Sequence, residues 1–165
     1  MGRRYVLTAE NMTTGTGSVL AALQTAAAGS AGAIIAIERV EVTQNHNTTS
    51  AQVRLALSSR NTSGTLTMTS TTPSPVVIGG PASGIAGGTS PLTAAKSGTN
   101  SSADSGGTYT DAYYCSPNNQ GGFLWIPIPE HKLIIPPSTV FAVRFMAAPG
   151  DTAGWAVSIW YDEIF

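Results

Sequence analysis

Apolar residues recur in this chain at every second position, run after run, and that period leaves little but β-strands for it to form. Val53, Leu55 and Leu57 alternate with Gln52, Arg54, Ala56 and Ser58. Phe141, Val143 and Phe145 alternate with Val140, Ala142, Arg144 and Met146. Near the end Trp155, Val157, Ile159 and Tyr161 share one face, and Ala156, Ser158, Trp160 and Asp162 the other. Arg4 to Glu10 and a short run at Thr65 to Thr69 follow the same rule more weakly. Successive strand side chains point to opposite sides, so Phe141, Val143 and Phe145 are predicted in a core and Arg144 on an open face.

Ala33 to Gln44 changes parity, with Ile35 and Ile37 on one face and Val40 and Val42 on the other. One extra residue near Glu38-Arg39, or a strand that changes sheets, produces such a switch. Ser18 to Ala28 suits a strand or a short helix, and its β surroundings favour the strand. Pro127, Pro129, Pro136 and Pro137 bound Phe123 to Ile128 and Leu133 to Ile135. Proline cannot donate to a ladder, so these pieces are predicted to be edge strands or crossings rather than central strands. Ala147 to Gly154 is a polar turn, expected to close a hairpin. Short strands joined by such turns predict an all-β fold, an antiparallel β-sandwich with jelly-roll-like connections, in a single domain over residues 1–165. Gly79 to Thr110 stands apart, being mainly Gly, Ser, Thr, Ala and Pro with Ile85, Leu92 and Tyr109 as its large apolar residues. It is an extended loop, or an arm that orders along a neighbouring subunit.

Only 8 Lys+Arg and 9 Asp+Glu occur in 165 residues, 10% charged, where ordinary domains carry about 25%. The 42% hydrophobic content sets the chain apart from disordered sequences. A net charge of −1 provides little repulsion against association, so such a surface suits packing against neighbours in an assembly or homo-oligomer. It gives no general attraction to nucleic acid or to an anionic membrane. Met1-Gly2-Arg3-Arg4 has the charge of a signal n-region, but Tyr5 to Glu10 is too short and too soon polar for an h-region. No export signal and no membrane span are expected. The single Cys115 reads as a reduced, partly buried thiol made in a cytoplasm. The N-x-Ser/Thr triplets at Asn11, Asn47, Asn61 and Asn100 are those expected by chance in so Ser/Thr-rich a chain.

His46 and His131 stand outside any metal-ligand spacing, and Thr13 to Ser18 is glycine-rich without the lysine of a phosphate loop. Asp162 and Glu163 are adjacent on a strand and therefore point apart. No catalytic, cofactor-binding or metal-binding residue is assigned, and the chain is not expected to be an enzyme. Trp125 and Trp155 are in phase with apolar neighbours and belong to the core. Trp160, out of phase, and Tyr113-Tyr114 are candidates for an interface or for stacking on a glycan.

Gly122-Phe123-Leu124-Trp125-Ile126-Pro127-Ile128-Pro129-Glu130 and Ile134-Ile135-Pro136-Pro137-Ser138, then Arg144-Phe145 with Ala148-Pro149 and the ending Ser158 to Ile164, resemble small structural proteins of tailed bacteriophages. The resemblance covers Gly122 to Ile164. It implies a virion component made in the host cytoplasm, a head decoration (cement) protein that binds the major capsid protein, with neck, tail and fibre positions open. Arms around Met1 to Glu10 and Gly79 to Thr110 would reach neighbours. The interface candidates are Arg3, Arg4, Tyr5, Ile85, Leu92, Tyr113, Tyr114, Arg144 and Trp160. Two competing readings are a receptor- or glycan-binding tail or fibre module and a non-viral self-assembling β-sandwich subunit.

Overall fold

The computed structural model describes residues 4–13, 19–30, 34–45, 49–61, 68–70, 72–75, 92, 94–97, 108–151 and 153–164. Twelve strands appear among them: β1 (Arg4–Met12), β2 (Val19–Gln24), β3 (Ile34–Gln44), β4 (Leu55–Asn61), β5 (Thr69–Ser70), β6 (Ser74–Pro75), β7 (Ala94–Ser97), β8 (Thr110–Cys115), β9 (Phe123–Trp125), β10 (Leu133–Ile135), β11 (Thr139–Phe145) and β12 (Trp155–Ile164). All pairings among them are antiparallel. One sheet runs β10-β3-β12-β1-β6, with β9 beside β10 along the same edge of β3; the other runs β5-β7-β2-β11-β4-β8. The two sheets pack face to face, and the chain is an all-β sandwich.

The alternating residues meet between the sheets. Val53, Leu55 and Leu57, then Phe141, Val143 and Phe145, then Trp155, Val157, Ile159 and Tyr161 are all buried in one cluster. Phe145 meets Trp155 edge-on at 4.8 Å across the sheets, and Tyr5 stacks on its register partner Tyr161 at 5.6 Å. Aromatic pairs of this kind contribute about 0.5–1.5 kcal/mol each beyond the area they bury. The segment open to helix or strand is strand β2, with Leu20 and Leu23 in the core.

β3 carries the expected bulge. Its register with β12 steps from Arg39 opposite Trp160 to Ile37 opposite Tyr161, so Glu38 is the extra residue. Ile35 and Ile37 before it and Val40 and Val42 after it therefore all reach the core.

Three expectations need correction. Ala147 to Gly154 is not a hairpin, because β11 lies in one sheet between β2 and β4 while β12 lies in the other between β1 and β3. Both strands already have two partners, and the turn carries the chain across the sandwich. Arg4 to Glu10 is not an arm, because β1 sits between β12 and β6 with Tyr5 fully buried. Part of Gly79 to Thr110 is built into the sandwich: β7 pairs with β2, and Leu92 packs against the main core. Its remaining residues before Thr108, Ile85 included, lie outside the described set. Of the weak run at Thr65 to Thr69, only Thr69 is described, as the start of β5.

The connection from β4 to β8 thus supplies strands to both sheets. β6 covers the free edge of β1, and β7 covers the free edge of β2. It also covers an outer face. Val140 and Ala142, on the side of β11 read as open, are fully buried in a second cluster with Val19, Ala22 and Met68, against which Tyr109 packs.

Two outcomes check this architecture. Deleting Glu38 restores strict alternation in β3 and turns Val40 and Val42 outward, with an expected loss of about 3–6 kcal/mol in urea unfolding, by the burial of two such side chains. Deleting Gly84 to Asp104 removes β7 and Leu92, and should cost at least about 2 kcal/mol, or about 4–8 °C in melting temperature for a chain of this size.

Candidate interaction surface

The apolar run Phe123 to Ile128 lies along the outer edge of β3, and there its side chains alternate between half-buried and exposed. Phe123 and Trp125 pack on the core. Leu124, Ile126 and Ile128 point outward, 54%, 61% and 57% exposed, and Ile134 on β10 follows at 53%. Between them Pro129–His131 forms a single 3-10 turn, closed by His131 N–H donating to the Ile128 carbonyl at 2.9 Å. The segment leaves β3 after Trp125 and returns at Leu133, straddling the Glu38 bulge. The bulge therefore positions the strip.

On the second sheet β8 is the edge strand next to β9. Tyr113 stacks on Phe123 at 6.1 Å and tilts over Trp125 at 6.3 Å, closing this side of the sandwich with aromatic rings. Tyr113 remains 42% exposed, and Tyr114, opposite Ala56 on the outer side of β4, is 70% exposed. An outward row of large aliphatic side chains on an edge is what solvent-facing strands normally avoid.

Apart from Glu130, the charges near this edge are paired within the chain. On the outer face of the first sheet, Asp162 accepts two bonds from Arg4, at 2.7 and 2.8 Å. Arg4 reaches Glu38 at 3.7 Å, and Lys132 donates to Glu38 at 2.6 Å. Arg39 pairs with Glu41 and lies over the Trp160 ring at 5.9 Å. Partly exposed pairs like these add little stability one by one. As a network they fix register across β3, β12 and β1.

Of the predicted interface residues, Tyr113 and Tyr114 lie on this edge. Arg4 is engaged by Asp162 and Glu38, Trp160 is half-buried beneath Arg39, and Tyr5 and Leu92 pack in or against the core. Arg3 and Ile85 lie outside the described residues. Arg144 is not on an open face. It donates to Ser58 Oγ at 2.9 Å and to Asp111 at 2.7 Å, and Ser58 donates to Asp111 at 2.6 Å. The Tyr109 ring sits against both Arg60 and Arg144, at 5.5 and 5.3 Å. Burial raises the Asp111 carboxyl, but the bonds from Ser58 and Arg144 outweigh it and hold the group below its usual range.

Cys115 packs against the core, and burial pushes its thiol up, toward the unreactive form. A shallow open concavity of about 430 Å³ is lined, among the described residues, by Asn11, Thr13, Asn45, Ala153 and Gly154, none of them an acid or a base. No three His, Cys, Asp or Glu side chains among the described residues are placed to share a metal ion. Comparison with family models, curated proteins and solved structures gives no match.

Arg144→Ala should cost about 1.5–3 kcal/mol, through lost charged hydrogen bonds. The depressed Asp111 value makes its contribution one that is present above the ordinary Asp pKa of about 3.9 and lost as pH falls through the lower folded value. Stabilities of wild type and variant from urea titrations should therefore differ at neutral pH and converge in acid.

Proposed function

We propose that this chain is a structural component of a virion, a head decoration protein that binds the major capsid shell, with the Leu124–Ile134 edge as an assembly surface. The observation that carries this is the outward row of Leu124, Ile126, Ile128 and Ile134, an apolar surface on a chain with almost no charge to keep it apart from neighbours. The strand order supports the reading. With β9 and β10 counted as one edge, the order β10-β3-β12-β1 opposite β2-β11-β4-β8 supports reading the sandwich as a double-sheet jelly roll, an architecture used by viral capsid and lectin domains. The resemblance of Gly122 to Ile164 to small phage structural proteins falls on the segment that carries the strip.

The test adds the purified chain to heads stripped of it. Wild type should rebind. Ile126→Asp should bind at least tenfold more weakly at an unchanged melting temperature, the expected effect of losing one buried aliphatic contact. Equal binding by the variant would remove the strip from the interface, and absence of the chain from purified particles would end the virion reading. Retention on a glycan array that Tyr114→Ala abolishes would instead place the protein among receptor-binding modules.

A further inference from the structure

We infer that the occupant of the Leu124–Ile134 strip is a second copy of this chain, packed strip against strip about a two-fold axis. The inference rests on reading that strip as an assembly surface. Four observations lead to the same partner.

Among the described residues β8, β9 and β10 each pair on one side alone, as the two-residue β5 and β6 do at the opposite side of the sandwich. The four most exposed aliphatic residues, Leu124, Ile126, Ile128 and Ile134, all lie on the β9 and β10 side. Second, the strip has the right size. Leu124, Ile126, Ile128, Ile134 and Tyr113 present about 500 Å² of apolar surface, taking ~200 Å² for a fully exposed large side chain; one side of a standard interface buries about 800 Å², a little over half of it apolar.

Third, the flanking charges are already neutralised within the chain, Lys132 by Glu38 and Arg39 by Glu41. Within the strip, Glu130 and His131 are both exposed and make no side-chain ion pair or hydrogen bond among the described residues. They form an acceptor beside a donor. In the inferred pairing a two-fold axis passes by the Pro129–His131 turn, with Leu124 and Ile126 of each copy against Ile134 of the other and each Glu130 facing the other copy's His131. A neutral or a charged imidazole can donate that bond. Fourth, Pro127 and Pro129 have no N–H, so an added β-strand cannot continue along the strip. Contact therefore falls to side chains, which an isologous pairing uses twice.

Sedimentation equilibrium of the full chain at micromolar concentration and physiological salt tests this. Wild type should be a dimer, and Ile126→Asp should weaken it at least tenfold. Glu130→Lys and His131→Glu should each weaken it, and the double variant should restore it, because the exchanged charges face each other only if the partner is the same chain. A wild-type monomer at every soluble concentration, a dimer indifferent to Ile126→Asp, or a double variant weaker than both singles would each overturn the inference. A wild-type monomer whose strip variants still lose particle binding overturns self-association and leaves the virion reading standing. A dimer that follows the exchange pattern but is absent from particles supports self-association and removes the virion reading.

Discussion

Between the sheets, Phe145 meets Trp155 at 4.8 Å and Tyr5 stacks on Tyr161 at 5.6 Å, in a layer that the long strands of both sheets reach with alternate side chains. This shared apolar layer makes every other feature possible. A one-residue slip in any long strand would turn its apolar set to the wrong side, so register is strongly specified wherever that layer is buried. β3 meets this demand with an extra residue, Glu38, which keeps Ile35, Ile37, Val40 and Val42 all inward. The same bulge puts Glu38 where Arg4 and Lys132 both reach it. It also marks the point where the edge segment leaves β3 after Trp125 and returns at Leu133. Core packing, the outer ion-pair network and the exposed strip share one local device.

The scarcity of charge gains meaning from where the charges lie. Arg4, Glu38, Lys132 and Asp162 hold one another on the first sheet, and Arg144 and Asp111 are tied on the second. Few ionic groups remain to keep the aliphatic edge in water. A surface of this kind favours association through shape and apolar area, with little long-range steering.

Much of the sandwich was legible because strand period is a local property. The inward faces of β4, β11 and β12, the bulge in β3 and the edge positions of β9 and β10 follow from alternation, from one parity change and from proline chemistry. The outward strip had a signal too. Phe123 to Ile128 contains no polar residue, so an edge strand there must expose one apolar face whichever way it turns. Reading the run for its edge status alone passed over that consequence. Arg144 shows the opposite failure: its place on the far side of β11 from Phe145 was correct, yet that side is covered by Met68 and Tyr109, distant in sequence.

The sequence by itself determined that this chain forms strands, which of their faces meet the core and that two proline-bounded segments stay out of the sheet centres, because each depends on side chains a few positions apart. Tertiary structure decided the rest. It set β11 and β12 in different sheets, drew β7 out of a glycine-rich stretch to cover β2, buried the outer face of β11 and left the strip from Leu124 to Ile134 uncovered. Those outcomes are choices among partners tens of residues away. They are settled by which arrangement buries the most apolar surface while satisfying every strand's backbone, and no local window of sequence contains that comparison.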